Sequence, residues 1–326
     1  MGGIDLVAGA CWNGRMITRA VLVVLAFTLS SAWAQQSNAG KPMAVLPSLT
    51  DPAIQQFNGP HSCIEPTTTP RGELLLFLPG TNAESGSGAL AFRQTAAACG
   101  YHVISLMYPC DIAAQQACRN DEDPTSYGRF RLEILTGRDL SPHVQVSVTD
   151  SVFNRLTKVI QHLAKKRPRQ GWSQFLDGET ILWSKIAVSG QSQGGGHAAM
   201  IAKQHLVARV IMFGSPKDYS VRLPGPAKFY GPPQETPLMR YFAFNHAQDK
   251  QGACTPEQQW EILRLLGFDD SKKAVVDGAQ PPFGGAHVLL TNKQLPDMAM
   301  LKIHNAALTQ REFEPVWKYL LTAPVP

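Results

Sequence analysis

The sequence predicts an α/β domain in which helices cover both faces of a mostly parallel sheet. Short apolar runs alternate along the 326 residues with segments whose apolar positions recur at helical spacing, the pattern of strands alternating with helices. The run Leu74–Leu78 is apolar without interruption, as in a strand buried on both faces. A strand, a sharp turn and a helix also follow one another directly between residues 186 and 205. No internal repeat or linker divides this pattern.

Before that turn, the sequence predicts one further strand and two helices. The alanine-rich segment Ala89–Cys99 is predicted to be a helix, and Tyr101–Tyr108 the next strand. Residues 109–146 are polar and irregular, which predicts a long insertion overhanging the end of that strand. An amphipathic helix capped by Thr149 or Asp150 is expected to follow.

After the turn, the sequence predicts three strands and two helices. The strands are Ala208–Phe213, Met239–Asn245 and Ala286–Leu290. One helix has a capped start at Thr255-Pro256-Glu257-Gln258 and ends at Gly267, and the last helix holds Val316, Trp317, Leu320 and Leu321. The segment Leu223–Pro237 is too short and too rich in proline to form a helical lid, so any cap over the sheet is expected to be small.

The turn itself has the sequence Gly190-Gln191-Ser192-Gln193-Gly194. With no room for a loop, it forces Ser192 into a strained conformation that exposes its hydroxyl, while glycines on either side let strand and helix approach. In this motif the sequence resembles the α/β-hydrolase superfamily, most of all the elbows of its esterase, cutinase and lysophospholipase branches. The resemblance covers most of residues 73–321 and implies an eight-stranded α/β-hydrolase fold.

The resemblance also implies a catalytic serine, an acid and a histidine in that chain order. Ser192, Asp249 and His304 satisfy the order, with Asp249 just after one predicted strand and His304 in a loop after the next. A serine hydroxyl needs an adjacent base, and the base needs an acid that fixes its tautomer. Each partner has a rival, because Asp218 ends an earlier strand and His287 opens the last one.

Two further histidines lie near these residues in the sequence. His197 is one turn into the helix after Ser192 and is expected to pack locally rather than act as the base. His246 precedes Asp249 by three residues, where it either lines the pocket or is an ordinary polar loop residue.

Backbone donors for an oxyanion are expected at two places. The resemblance implies the N–H of Gln193, after the serine, and an N–H in the loop after Leu74–Leu78. The superfamily's usual His-Gly is Pro-Gly here, so Thr81 is the matching donor, with Asn82 as the alternative. A plain strand-ending turn would explain the same residues without this function.

The first 34 residues have the pattern of a secretory signal peptide. Arg15 and Arg19 precede the uncharged apolar run Ala20–Leu29, and Ala32-Trp33-Ala34 supplies the small-x-small motif for cleavage after Ala34. The apolar run is shorter than the about 20 residues that span a bilayer. We therefore expect a secreted or periplasmic protein without a transmembrane anchor. A polar, proline-rich and irregular lead-in is expected over residues 35–70, and the α/β domain over residues 71–326.

Five cysteines would remain after cleavage: Cys63, Cys99, Cys110, Cys118 and Cys254. Export would allow oxidation, and Cys110 and Cys118 enclose a short polar loop, so a disulfide is predicted between them. Cys63 with Cys99 is the second candidate pair, which leaves Cys254 unpaired. No C-x-x-C or clustered Cys/His spacing is present, so neither a metal nor another cofactor is predicted.

The net charge of +5 is mild, and only Lys165–Arg169 concentrates it. That run follows an amphipathic helix without interleaved aromatic residues, so we expect a solvated helix end and no nucleic-acid partner. The predicted function is a secreted serine hydrolase that cleaves carboxylic esters in small molecules, lipids or polyesters. A non-catalytic binding protein on the same fold, a serine peptidase and an acyltransferase are the alternatives.

Overall fold

The computed structural model describes residues 1–2, 40–86, 88–297 and 299–326. Contacts divide the chain into residues 1–39 and a unit from Gly40 to Pro326, and only the second unit is described below. The predicted signal peptide lies almost entirely outside the described residues, so its cleavage stays a prediction. Within the described ranges, no helix is both long and apolar enough to cross a membrane.

The described residues contain thirteen strands and nine α-helices. The strands are β1 Met43–Val45, β2 His61–Ile64, β3 Leu74–Leu78, β4 His102–Ser105, β5 Leu176–Asp177, β6 Thr180–Ile181, β7 Ile186–Gln191, β8 Arg209–Phe213, β9 Tyr219–Ser220, β10 Gly225–Pro226, β11 Tyr241–His246, β12 Lys273–Val275 and β13 Val288–Thr291. The helices are α1 Pro47–Thr50, α2 Leu90–Ala98, α3 Ala114–Cys118, α4 Ser126–Thr136, α5 Val152–Lys166, α6 Gln193–Gln204, α7 Pro256–Leu266, α8 Met300–Thr309 and α9 Glu314–Thr322.

Nine of the strands form one sheet in the order β1-β2-β4-β3-β7-β8-β11-β13-β12. Only β2 runs against the others, because both of its pairings are antiparallel while all the remaining pairs from β4 to β12 are parallel. The sheet has nine strands rather than the predicted eight because it includes β12, a three-residue strand at its edge. This strand begins with a lysine and is largely exposed, so its sequence has no apolar run that would predict a strand.

Helices cover both faces of this sheet, and each face has its own apolar core. Helices α4, α5, α6 and α7 pack on one face around residues such as Leu76, Val188 and Val210. Helices α2, α8 and α9 pack on the other face around Leu75, Ala187 and Ile211. Side chains at alternate positions of β3, β7 and β8 therefore supply both cores. The predicted α/β-hydrolase fold is confirmed.

Three local predictions need correction. The lead-in is not irregular throughout, since it contributes β1 and β2, whose short and partly polar sequences gave no strand pattern. The insertion after β4 contains α3 and α4, and α4 packs against α6. The cap of α5 is Ser151, whose side chain accepts the Asn154 N–H, rather than Thr149 or Asp150.

The predicted disulfide between Cys110 and Cys118 is wrong, because all five described cysteines are free thiols. Helix α3 fills the loop between them, and Cys118, its last residue, contacts Ser126 while the Cys110 thiol donates to the Ala83 carbonyl at 3.8 Å. Burial raises the pKa of both thiols to about 11. The second candidate pair, Cys63 with Cys99, is not bonded either.

Candidate active site

Ser192 occupies the turn between β7 and α6 in the strained conformation that the motif predicts. Its φ of 54° and ψ of −118° lie outside the regions that non-glycine residues ordinarily adopt. The backbone is held there because Ser192 N–H donates to the Phe213 carbonyl at 2.8 Å, and the Ser192 carbonyl accepts from Gly195 N at 3.0 Å. The side chain is half-buried, and no hydrogen bond of its hydroxyl is found among the described residues.

The glycines beside Ser192 are required by close approach of the backbone. A Cβ atom on Gly190 would lie 2.2 Å from the carbonyl carbon of Gly194, and one on Gly194 would lie 1.9 Å from the Leu78 carbonyl oxygen. The start of α6 is thus pressed against both its own strand and the end of β3. This contact brings the loop after β3 to the serine.

Asp249 and His304 meet at the same edge of the sheet. Asp249 follows β11 by three residues, and its Oδ2 lies 2.8 Å from Nδ1 of His304, with both side chains buried. His304 lies in α8 rather than in a loop, because α8 begins at Met300 within the segment predicted to be irregular. An ionised carboxylate can only accept, so Nδ1 of His304 carries the proton and Nε2 is left as a base.

The pKa of Asp249 lies below its ordinary value despite the burial of the carboxyl group. Burial alone would raise this pKa, but the hydrogen bond and charge of His304, the charge of Lys217 and the N–H of Gln251 together lower it. The carboxylate is therefore ionised near neutral pH and can orient the imidazole.

The His304 ring lies beside the backbone that holds Ser192. A Cβ atom on Gly214 would lie 2.9 Å from His304 Cε1, and Gly214 directly follows Phe213, whose carbonyl accepts the Ser192 N–H. Helix α8 is also joined to the elbow one residue earlier, where Gln191 Nε2 donates to Asn305 Oδ1 at 2.8 Å. These contacts bring the Asp249–His304 pair to the residue that the sequence singled out as nucleophile.

Two backbone N–H groups near Ser192 are available to a ligand. Neither Thr81 N–H nor Gln193 N–H donates a hydrogen bond within the described part of the chain, and the two side chains touch, Thr81 Oγ1 to Gln193 Oε1 at 3.3 Å. The N–H of the alternative, Asn82, already donates to the Cys110 carbonyl at 3.0 Å. The geometry thus favours Thr81 over Asn82 as the partner of Gln193.

The rival acid Asp218 is engaged elsewhere. Both of its carboxylate oxygens accept from Arg131, at 2.5 Å each, and Tyr230 donates to it at 3.0 Å. Asp218 and Arg131 are fully buried. Burial alone would lower the pKa of the Arg131 guanidinium, but the charge and hydrogen bonds of Asp218 raise it above its ordinary value. Asp218 is therefore the partner of a structural arginine and does not contact His304.

The other histidines lie away from the pairing with Asp249. His287 precedes β13 and bonds the Tyr241 carbonyl at the start of β11, at the opposite edge of the sheet. His197 is fully buried against Tyr108, and burial, with the charge of Arg131, holds its pKa well below the ordinary value. His246 is also buried, and its Nε2 bonds the Lys293 carbonyl at 2.9 Å.

Sequence reasoning missed two features of this site. Lys217 contacts Asp249, and its position four residues after β8, at the edge that also carries Asp249, was the available signal. The Gln193 side chain anchors the insertion, since its Oε1 accepts from Ala114 N at 2.8 Å and its Nε2 donates to the Ile112 carbonyl at 2.9 Å. The long insertion is thus attached directly beside Ser192.

No known protein-family model and no curated protein matches this sequence. Solved structures with a similar fold include an alpha-beta serine hydrolase homologue from Coxiella burnetii, 11% identical with a TM-score of 0.46 over 87% of this chain and 98% of that one. A dienelactone hydrolase from Anabaena variabilis is 13% identical with a TM-score of 0.41 over 85% and 96% of the two chains. A thermophilic esterase from Thermogutta terrifontis is 11% identical with a TM-score of 0.43 over 87% and 94%. At this identity, these likenesses concern the fold alone.

Proposed function

We propose that this chain, which has the α/β-hydrolase fold, is a serine hydrolase that cleaves carboxylic esters with Ser192, His304 and Asp249. The observation that carries the proposal is the buried hydrogen bond between Asp249 and His304 beside the strained turn of Ser192. A histidine held in one tautomer by a carboxylate, beside the turn that carries a half-buried serine, is the arrangement that makes serine nucleophilic.

The proposed reaction proceeds through an acyl-enzyme. Ser192 Oγ attacks the acyl carbon while Nε2 of His304 takes the hydroxyl proton, and the N–H groups of Thr81 and Gln193 hold the developing oxyanion. His304 then returns the proton to the departing alcohol. A water molecule, activated by the same nitrogen, attacks the acyl carbon and releases the acid and the free serine.

The proposal is tested with a fluorophosphonate probe, which bonds covalently to activated serines. We expect the folded protein to be labelled at Ser192, no labelling of Ser192→Ala, and labelling of His304→Ala slowed by several orders of magnitude. His287→Ala is the matched control, and it should be labelled at the wild-type rate because His287 lies at the opposite edge of the sheet. Mass spectrometry of the labelled peptide identifies the residue.

A folded protein that stays unlabelled would overturn the enzyme hypothesis and favour the non-catalytic binding protein. For a labelled protein, hydrolysis of p-nitrophenyl esters compared with the matching anilides separates an esterase from a peptidase. Added alcohol acceptors would reveal an acyltransferase by the ester that they form. Export, and with it the secreted state of the enzyme, is proposed from the signal-peptide pattern alone.

A further inference from the structure

Lys217 is a buried lysine whose ammonium group contacts Asp249. The side chain is 1% exposed, and its Nζ lies 3.2 Å from Asp249 Oδ2. The same nitrogen lies 3.4 Å from the carbonyl oxygens of Asp249 and Cys254. Removing an ammonium from water is costly, so this group needs the carboxylate as its partner.

The Asp249 carboxylate is held by donors from three separate segments. Oδ2 accepts from His304 Nδ1 at 2.8 Å and forms an ion pair with Lys217 Nζ at 3.2 Å, and Oδ1 accepts from Gln251 N–H at 2.9 Å. Rotation of the carboxyl group would break at least one of these contacts. Lys217 therefore helps to determine which oxygen faces the histidine.

Lys217 also changes the charge of the site. The buried charges of Arg131 and Asp218 cancel, as do those of Lys217 and Asp249, as long as His304 is neutral. When His304 takes a proton, the buried group gains a net positive charge, whereas an aspartate and an imidazolium without the lysine would cancel each other. The lysine thus opposes protonation of the Asp249–His304 pair.

The other ionisable groups around this pair do not offset that effect. They are Arg131, Asp218, Tyr230, His246, Cys254 and Glu261. Burial raises the pKa of the Cys254 thiol to about 12, so this neighbour stays neutral in the range in which a histidine titrates. Asp218 is matched by Arg131, and both ring nitrogens of His246 are engaged, with the Lys293 carbonyl and the Gln248 N–H. Glu261 is exposed to solvent, which screens its charge, and it accepts from the Tyr219 hydroxyl at 2.9 Å.

We propose that Lys217 is a positioning residue of the site, which orients the Asp249 carboxylate and offsets its charge so that the Asp249–His304 pair takes up its proton only at lower pH. This inference rests on the proposed function for its catalytic consequence. The base then stays free in more acidic solution than it would in a site without the lysine.

The test is the variant Lys217→Met, which removes the charge and keeps a side chain of similar length. We would follow the acidic limb of kcat/KM for an ester and, separately, the NMR titration of the His304 ring, assigned by comparison with His304→Ala. Both midpoints should rise by about one pH unit, because the coupled pair loses the cation that opposes its proton. Lys217→Arg should keep both midpoints near their wild-type values.

Lys203→Met is the matched control. Lys203 Nζ donates to the carbonyls of Gly231 and Pro233, at 2.6 and 2.8 Å, and to no carboxylate of the described residues. This variant loses comparable hydrogen bonds away from Ser192, so its midpoints should not move.

Midpoints of Lys217→Met that stay at the wild-type values, or fall, would overturn the proposal. If the protein hydrolyses no ester while the NMR midpoint still rises, the role of Lys217 stands and the proposed function fails. Lys217→Gln is a second uncharged variant. Failure of both uncharged variants to fold, while Lys203→Met folds, would show that Lys217 serves folding rather than the acid, and would equally overturn the proposal.

Discussion

At the scale of single residues, the two buried aspartates near the site have different partners and therefore different effects on replacement. Asp249 contacts His304 and Lys217, whereas Asp218 contacts Arg131 and Tyr230. Either substitution by asparagine leaves a buried cation without its carboxylate, which costs about 3–5 kcal/mol of stability. Only the loss of Asp249 also leaves His304 without the group that fixes its tautomer.

We therefore expect Asp249→Asn to lower kcat of the folded protein by a factor on the order of 10³ to 10⁴. Asp218→Asn should lower the urea midpoint but leave kcat of the folded fraction within about tenfold of wild type. Ester hydrolysis below the unfolding transition, with the folded fraction measured by circular dichroism, separates the two effects. A larger loss of kcat in Asp218→Asn would show that the acid is misassigned.

At the scale of elements, the site depends on how closely α6 packs against β3. A methyl group on Gly194 would lie 1.9 Å from the Leu78 carbonyl oxygen. Because that oxygen belongs to the backbone, no flexible side chain can move aside to make room. Gly194→Ala is expected to destabilise the protein by about 3 kcal/mol or more and to displace Gln193, the residue after Ser192, from Thr81.

Gly86→Ala is the control for this substitution, because a Cβ at Gly86 meets nothing within 4 Å. Thermal unfolding and fluorophosphonate labelling of both variants test the prediction. Wild-type stability of Gly194→Ala would mean that α6 and β3 do not approach as closely as described.

At the scale of the whole molecule, buried neutral histidines make stability depend on pH. Burial, with a smaller contribution from the charge of Arg155, lowers the pKa of His61 to about 3, and burial also lowers the pKa of His102, His197, His205 and His287. An unfolded chain binds these protons below about pH 6.5. The unfolded state thus gains protons first as pH falls, so stability decreases from about pH 6.5 toward pH 3.

His61→Asn tests this dependence. The ring nitrogen Nδ1 accepts the Met107 N–H at 2.9 Å, and the asparagine oxygen can replace that acceptor without titrating. Between pH 6.5 and 5 the variant should lose roughly 2 kcal/mol less stability than wild type. Urea unfolding at both pH values measures the difference. Equal losses in the two proteins would contradict the assignment of His61 as a buried neutral group.

The sequence by itself determined the parts of this protein that depend on neighbouring residues. Glycine spacing placed the strained turn at Ser192, the uninterrupted apolar run Leu74–Leu78 placed β3, and the capped start at Thr255 marked the beginning of α7. These signals are local, because a turn, a cap and a buried strand each constrain residues only a few positions apart.

The tertiary structure alone decided which distant groups meet. The order of the strands brings His304 to Asp249 and Arg131 to Asp218. The side chain of Lys217 contacts Asp249, whereas the next residue, Asp218, contacts Arg131 in the insertion. Helix α3 fills the loop between Cys110 and Cys118, the two cysteines that the sequence predicted to be paired. Chain order limits the number of candidate partners for each residue but does not identify the right one. The partner depends on the direction of each side chain at the sheet edge, and packing against segments far away in the sequence sets that direction.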